Sequence, residues 1–225
     1  MKPRFLLLAL AVAACGDDGG KKVDAAITDG QPLMFTGEYV DWDSTDTGFF
    51  CGIFQATFAV HGDATRTNLT NPNGRFTLEL APAQTTQIEI TPPTAQSECS
   101  QPKSTYNVPG IMIADASVIA GGQMISARSF TVDKAPSVGY DSSKAQVLVH
   151  VDGTPRAVAI TGTHQPAEAF DGTTWAAGDT GVNVYFPNLD PAAGTTTIST
   201  TGTALGTGTV PVAAGTFTYV TLVMQ

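Results

Sequence analysis

The most constraining feature of this sequence is the alternation of apolar and polar residues in short segments bounded by turn residues. It is strictest at residues 75–80 (Arg-Phe-Thr-Leu-Glu-Leu), which follow an Asn-Pro-Asn-Gly turn at 71–74, and it recurs at 55–61 and 87–91. A period of two places successive side chains on opposite faces of a strand. The pattern predicts half-buried strands with Ala56, Phe58, Val60, Phe76, Leu78 and Leu80 inward, and it predicts that 75–80 and 87–91 form a β-hairpin.

The composition favours an all-β fold and argues against one class of partner. Only 14% of the 225 residues are charged, whereas there are 23 glycines and 14 prolines, which is typical of many short strands joined by tight turns. Without its first 14 residues the chain would keep 9 basic and 20 acidic side chains. Because Lys and Arg drive binding to phosphate backbones, we expect no nucleic-acid partner.

The second half of the chain repeats the strand-and-turn pattern. Residues 145–151 and 156–160 flank an Asp-Gly turn and predict a second hairpin, and apolar strands are expected at 182–186, 195–199 and 217–224. A turn-rich stretch at 133–144 separates the halves. We therefore predict two tandem small β-sandwich domains, 33–132 and 145–225, joined by a linker at 133–144. A similar order of turns and strands suggests a weak repeat of one fold, with chance similarity between two β modules as the alternative.

The first residues have the features of a secretory signal. Lys2 and Arg4 precede an apolar stretch at 5–13, and small residues lead to Cys15. A cysteine directly after such residues resembles the lipobox of bacterial lipoproteins. That resemblance implies removal of the signal peptide 1–14, acylation of Cys15 with fatty acids such as palmitate, and an envelope location, with Gly16 favouring the outer membrane.

An ordinary signal peptide, with Cys15 incidental or in a disulfide, is the alternative to the lipoprotein interpretation. The apolar stretch is too short to cross a bilayer of ~30 Å as a helix. Residues 15–32 begin with Gly-rich, charged sequence and are predicted to be a flexible tether.

Part of the first predicted domain resembles carboxypeptidase regulatory-like domains, at about residues 65–92. A threonine-rich approach, an Asn-Gly turn and a closing proline carry the resemblance: Thr65, Thr67, Thr70, Asn73, Gly74, Arg75, Phe76, Leu80 and Pro82. It implies transthyretin-like β-sandwiches that are accessory rather than catalytic. The tyrosine usual near the end of that hairpin is missing, since Thr86 and Gln87 stand about where it would fall.

The other two cysteines, Cys51 and Cys99, are expected to form a disulfide. They would face an oxidising compartment after export, and neither lies in a CxxC motif or a Cys/His cluster. Two buried free thiols are the alternative.

No catalytic or metal-binding motif stands out, so we expect neither an enzyme nor a metal or other cofactor. His61, His150 and His164 are far apart and lie in no zinc-binding pattern. Asp41 and Asp43 flank Trp42, with Glu38 nearby; paired carboxylates can hydrolyse glycosides, but here a solvated strand face is the preferred interpretation.

Two tryptophans are candidate ligand-stacking residues. Trp42 and Trp175 lie near carboxylates, and exposed aromatic rings beside such groups can stack sugars. Burial in the core, the commoner fate of a tryptophan in a β-sandwich, is the alternative. The sequence thus predicts a non-catalytic, lipid-anchored envelope protein with a structural, adhesive or ligand-binding role. Its expected partners are the membrane, through the lipid, and a protein or polysaccharide. A periplasmic or surface carbohydrate-binding protein is the alternative.

Overall fold

A computed structural model describes residues 32–82, 84–93 and 105–225 of the chain. The predicted signal peptide, Cys15, nearly all of the tether and Cys99 lie outside these residues. The described strands are β1 (Leu33–Asp41), β2 (Thr57–Val60), β3 (Asp63–Leu69), β4 (Arg75–Leu80), β5 (Thr86–Thr91), β6 (Gly110–Ala114), β7 (Ile125–Ser129), β8 (Ala145–Asp152), β9 (Val158–Ile160), β10 (Glu168–Phe170), β11 (Trp175–Ala177), β12 (Asn183–Leu189), β13 (Thr195–Thr200), β14 (Ala204–Leu205), β15 (Gly208–Pro211) and β16 (Phe217–Met224).

The fold is all-β, as the sequence predicts. One short α-helix, α1 (Ala116–Ala120), and two 3-10 turns, Ala135–Val138 and Pro191–Ala193, interrupt the strands of the described chain. The predicted inward residues of β4 and of the segment around β2 are all buried: Ala56, Phe58, Val60, Phe76, Leu78 and Leu80. Within the described residues no helix has the length and apolar character required to cross a membrane.

The strands form three sheets. The first sheet has the order β4-β1-β7, and the third has the order β15-β13-β9. Between them lies a central ten-stranded sheet with the order β11-β10-β12-β8-β16-β6-β5-β2-β3, in which β14 also pairs with β16. The last strand, β16, runs parallel to both β6 and β8, and Phe217 is in register with Gly110 on one side and Gln146 on the other.

Both predicted hairpins are wrong, for one physical reason. Strand β4 pairs with β1 in the first sheet, whereas β5 pairs with β2 and β6 in the central sheet. Likewise β8 pairs with β12 and β16, whereas β9 pairs with β13 in the third sheet. In each case the chain reverses at the predicted turn but crosses to a facing sheet. The two strands of each predicted hairpin then contribute side chains to the same hydrophobic core instead of bonding to each other.

The middle of the central sheet has a hydrophobic core on each face. Leu148, Phe217 and Tyr219 belong to the core shared with the first sheet, whereas Val147 and Val220 belong to the core shared with the third sheet. Strands β8, β12 and β16 are therefore buried on both sides, as their almost continuous burial shows. The division of the chain at 133–144 stays a prediction, and the central sheet contains strands from both sides of it.

Candidate functional site

The structure brings the two candidate tryptophans together. Trp42 follows β1 directly, Trp175 begins β11, and their rings stack in parallel with centroids 4.3 Å apart and planes 7° apart. The indole N–H of Trp175 donates to the backbone carbonyl of Trp42 at 3.4 Å. Trp42 is only 1% exposed and also meets the rings of Phe130 and Tyr185 edge-on. Trp42 is thus a core residue without a ring face open to solvent, and Trp175, which is partly exposed, is the one that can meet a ligand.

A buried arginine fixes the backbone just after β1. Arg128 of β7 is 5% exposed, and its guanidinium donates to the backbone carbonyls of Trp42, at 3.1 Å, and of Ser44. The guanidinium carbon lies 4.4 Å from the centroid of the Phe170 ring, in a cation–π contact. Burial lowers the pKa of Arg128. Nearby carboxylates oppose that shift, and they are those of Asp46, Glu38, Asp41 and Asp43. This side chain therefore joins the end of β1 to β10, the strand next to the edge of the central sheet.

The expected solvated face at Asp41 and Asp43 is wrong for Asp41. Asp41 is 6% exposed, and it accepts hydrogen bonds from the hydroxyl of Tyr106 and, at 3.0 Å, from the backbone N–H of Asp43. Asp43 itself lies at the surface, 2.9 Å from the ammonium of Lys134. Glu38 accepts from the hydroxyl of Ser126 at 3.2 Å. These carboxylates have structural partners and show no arrangement around a common point.

Residues 42–56, called here the aromatic loop, are held in place by side chains of the loop itself. The hydroxyl of Thr45 accepts from the backbone N–H groups of Gly48, at 3.2 Å, and Phe49, at 3.0 Å. The hydroxyl of Ser44 accepts from the N–H of Cys51 at 2.9 Å. Small hydroxyl residues make such local bonds in turns. The first half of the loop is consequently a hydrogen-bonded turn.

The second half of the aromatic loop is tied to the end of β3. The hydroxyl of Thr70 donates to the carbonyl of Ile53 at 2.6 Å and accepts from the N–H of Ala56 at 2.9 Å. Gly52 lies against the 71–74 turn so closely that a Cβ atom there would be 2.0 Å from the carbonyl carbon of Asn73. The loop therefore has a defined path along its whole length.

Three phenylalanines project from this loop into solvent. Phe49, Phe50 and Phe54 are 41%, 55% and 41% exposed, and they make up three of the seven large apolar side chains that are exposed in the described chain. Single exposed apolar residues are ordinary, but several in one short loop are a feature of interaction surfaces. The sequence patterns considered above did not predict these exposed rings, although a Phe-Phe pair after Gly48, within an acidic stretch that does not alternate, was a visible signal.

The histidines are not brought together. His61 forms an exposed pair with Glu89 at 2.6 Å, and His150 contacts the side-chain oxygen of Asn183 at 3.1 Å. Burial lowers the pKa of His150. The described part of the chain contains no group of three His, Cys, Asp or Glu side chains placed to hold a metal ion.

Cys51 is 4% exposed, at the base of the aromatic loop. Because Cys99 lies outside the described residues, its pairing with Cys51 stays a prediction.

The sequence matches no protein-family model and no curated protein. Among solved structures, the shaft pilin SpaA of Lactobacillus rhamnosus GG is similar at 10% identity and a TM-score of 0.27, over 87% of this chain and 98% of the pilin chain. A single-site mutant of the same pilin gives 11% identity with the same coverage and TM-score. A TM-score this low does not establish a shared fold, so nothing about fold or role is inferred from the pilin.

Proposed function

We propose that this chain is a non-catalytic, lipid-anchored protein of the bacterial cell envelope with a structural or adhesive role. The observation that carries the proposal is the aromatic loop, in which Phe49, Phe50 and Phe54 are held in solvent on a hydrogen-bonded backbone. Leaving such side chains unburied sacrifices part of the free energy that burying a phenylalanine contributes. A partner that covers the rings would recover it.

The position of the aromatic loop suits a protein tethered at its first residues. The tether would join the fold at Leu33, where β1 begins, and the aromatic loop starts where β1 ends. Nine residues of extended strand span about 30 Å. A partner bound at the loop would therefore be held well away from the point where the tether enters.

Strand β1 is also suited to carry tension between the tether and the loop. It is the middle strand of the first sheet and is bonded along its length, antiparallel to β4 and parallel to β7. The first part of β1, Leu33–Glu38, pairs with β4, and its last part, Gly37–Asp41, pairs with β7. A pull on Leu33 therefore loads the β4 ladder first and reaches the β7 ladder through the strand. An anchored structural or adhesive protein needs this resistance.

The lipid anchor is tested on the full chain expressed in a Gram-negative host. We expect the intact mass of detergent-extracted protein to show loss of residues 1–14 and addition of acyl chains at Cys15. The variant Cys15→Ser should instead appear in the soluble fraction without acylation. An unmodified wild-type N-terminus in the membrane fraction would contradict the anchor.

Carbohydrate binding is a second candidate function, and the partly exposed ring of Trp175 favours it. Its indole N–H is bound to the backbone of Trp42 and its ring is stacked on Trp42, so the ring is held in a fixed orientation. Binding to a glycan array that disappears in Trp175→Ala and persists in Phe54→Ala would support this function. Absence of glycan binding by the wild-type chain would contradict it.

A further inference from the structure

We propose that the aromatic loop is a docking site for a protein surface that presents basic side chains together with apolar ones. This inference rests on the proposed function and names its class of partner. The two features that select this partner are the chemistry of the exposed rings and the sign of the charge around them.

The charged side chains around the aromatic loop are mainly acidic. Asp43 and Asp46 belong to the loop, and the backbone N–H of Asp46 donates to the carbonyl of Gly172 at 3.3 Å, next to Asp171. The Asp171 carboxylate accepts from two backbone N–H groups in its own turn, and these bonds lower its pKa, so it stays ionised. Three carboxylates therefore lie in or beside the loop.

Among the residues that the structure describes, the two basic groups near the loop are already engaged. Arg128 is buried under the loop and bonded to its carbonyls, and Lys134 lies 2.9 Å from Asp43. The chain as a whole has a formal net charge of −9. Complementarity of charge thus favours a basic partner over an acidic one.

The rings themselves favour a protein over a sugar or a bilayer. Phenylalanine has no polar group to bond sugar hydroxyls, unlike tyrosine or tryptophan. Anionic lipid headgroups would be repelled by Asp46 and Asp171. In protein interfaces, by contrast, aromatic residues are enriched, and Arg or Lys groups bind the faces of aromatic rings. On one protein surface, apolar side chains can pack against the rings and basic side chains can pair with the carboxylates.

The hydrogen bonds of Ser44, Thr45 and Thr70 hold the loop before a partner arrives. A loop that is already ordered loses less conformational entropy on binding. The exposed rings are therefore ready for contact without rearrangement of the backbone.

The test uses the full chain with Cys15→Ser, immobilised and presented with a phage-displayed library of random dodecapeptides. We expect the enriched peptides to combine Lys or Arg with Leu, Ile, Phe or Trp. A representative synthetic peptide should bind about thirtyfold more weakly to Phe50→Ser, the loss typical of a central interface residue. The variant Asp46→Asn should bind more weakly at low salt and show a smaller effect of added salt. Asp43 is left unchanged because its charge is already offset by Lys134.

The matched control is Met34→Ser, because Met34 is 65% exposed on β1 and lies outside the aromatic loop. It should bind the peptide as the unsubstituted chain does, and circular dichroism should be the same for all variants. Enriched peptides without basic residues, or equal binding by Phe50→Ser, would overturn the proposal. So would binding to a glycan array, or to vesicles of phosphatidylethanolamine and phosphatidylglycerol, that is lost in Phe50→Ser. None of these outcomes bears on acylation of Cys15, which the mass measurement decides separately.

Discussion

Replacing Phe217 with alanine should destabilise both hydrophobic cores together. The side chain of Phe217 is fully buried in the core beneath the first sheet, where it meets the rings of Phe130 and Tyr219 at centroid distances of 5.2 and 5.3 Å. Its backbone belongs to β16, which is bonded to β6 on one side and to β8 on the other. Removal of the Phe217 ring therefore weakens the packing of β16, a strand that contributes side chains to both cores.

The expected size of the effect follows from burial. Truncating Phe to Ala removes roughly 150 Å² of buried apolar surface, or about 4 kcal/mol at ~25 cal/mol per Å², within the range of about 3–5 kcal/mol measured for such substitutions. In a chain of this size each kcal/mol shifts Tm by about 2–4 °C. Phe217→Ala should then lower Tm by roughly 8–16 °C.

Urea and thermal unfolding, followed by tryptophan fluorescence and far-UV circular dichroism, measure the loss. Hydrogen exchange of peptides from β5 and from β13 then reports on the two cores separately. We expect one transition, and we expect protection to fall in both peptides. Phe54→Ala is the matched control, because Phe54 is 41% exposed and its truncation should change stability by less than about 0.5 kcal/mol.

Two separate transitions in the unsubstituted chain would refute this reasoning. So would a Phe217→Ala variant in which β5 loses protection while β13 keeps it. Either result would mean that the chain folds as two independent units divided near 133–144, as the composition of that stretch predicts, in spite of the shared sheet.

Three further predictions concern a histidine, two glycines and the two cysteines. Because burial lowers the pKa of His150, the fold favours its neutral ring. The free energy of unfolding should therefore be highest above about pH 6.5 and decrease below it. The urea midpoints measured at about pH 7.5 and pH 5 should differ less in His150→Gln than in the unsubstituted chain. Gly62→Ala should cost about 1 kcal/mol, because φ is +75° in open space. Gly74→Ala, with φ of +72° and its Cβ 2.2 Å from a carbonyl oxygen of β1, should cost more, and equal urea midpoints would contradict this. Replacing Cys51 and Cys99 with alanine should cost about 4 kcal/mol, and a non-reducing peptide mass map lacking the linked pair would refute the disulfide.

Alternation along the chain predicted several strands, because it depends on neighbouring residues only, but it did not predict β1, β3, β6, β7, β10 or β11. It identified β4 with its bounds and the buried face of β2. It could not tell which strand a neighbour would bond, because a reversal between β4 and β5 or at Gly153 is compatible with a hairpin and with a crossing to a facing sheet. Both reversals in this chain are of the second kind.

Sequence reasoning about the site failed where burial was decided by distant parts of the chain. For Trp42 the sequence left both ligand binding and burial open, and burial is decided by Trp175, which is 133 positions away and covers its ring. Asp41 is likewise buried against Tyr106, a contact over 65 positions. No local pattern contains such information. The exposed phenylalanines of the aromatic loop differ from these two residues. The Phe-Phe pair is visible in the sequence, but whether its rings are exposed depends on the path of the loop.

The shared sheet and the aromatic loop are connected through the same few side chains. Arg128 bonds the start of the loop and also lies over the ring of Phe170 in β10 of the central sheet. Trp175, from the adjacent edge strand β11, covers Trp42. The loop that presents the exposed rings is consequently supported by strands from both halves of the chain. A force on a partner bound at the loop would pass into β1 and, through these contacts, into the central sheet. For this reason we expect substitutions at Arg128 to weaken peptide binding at the loop even though the side chain itself is buried.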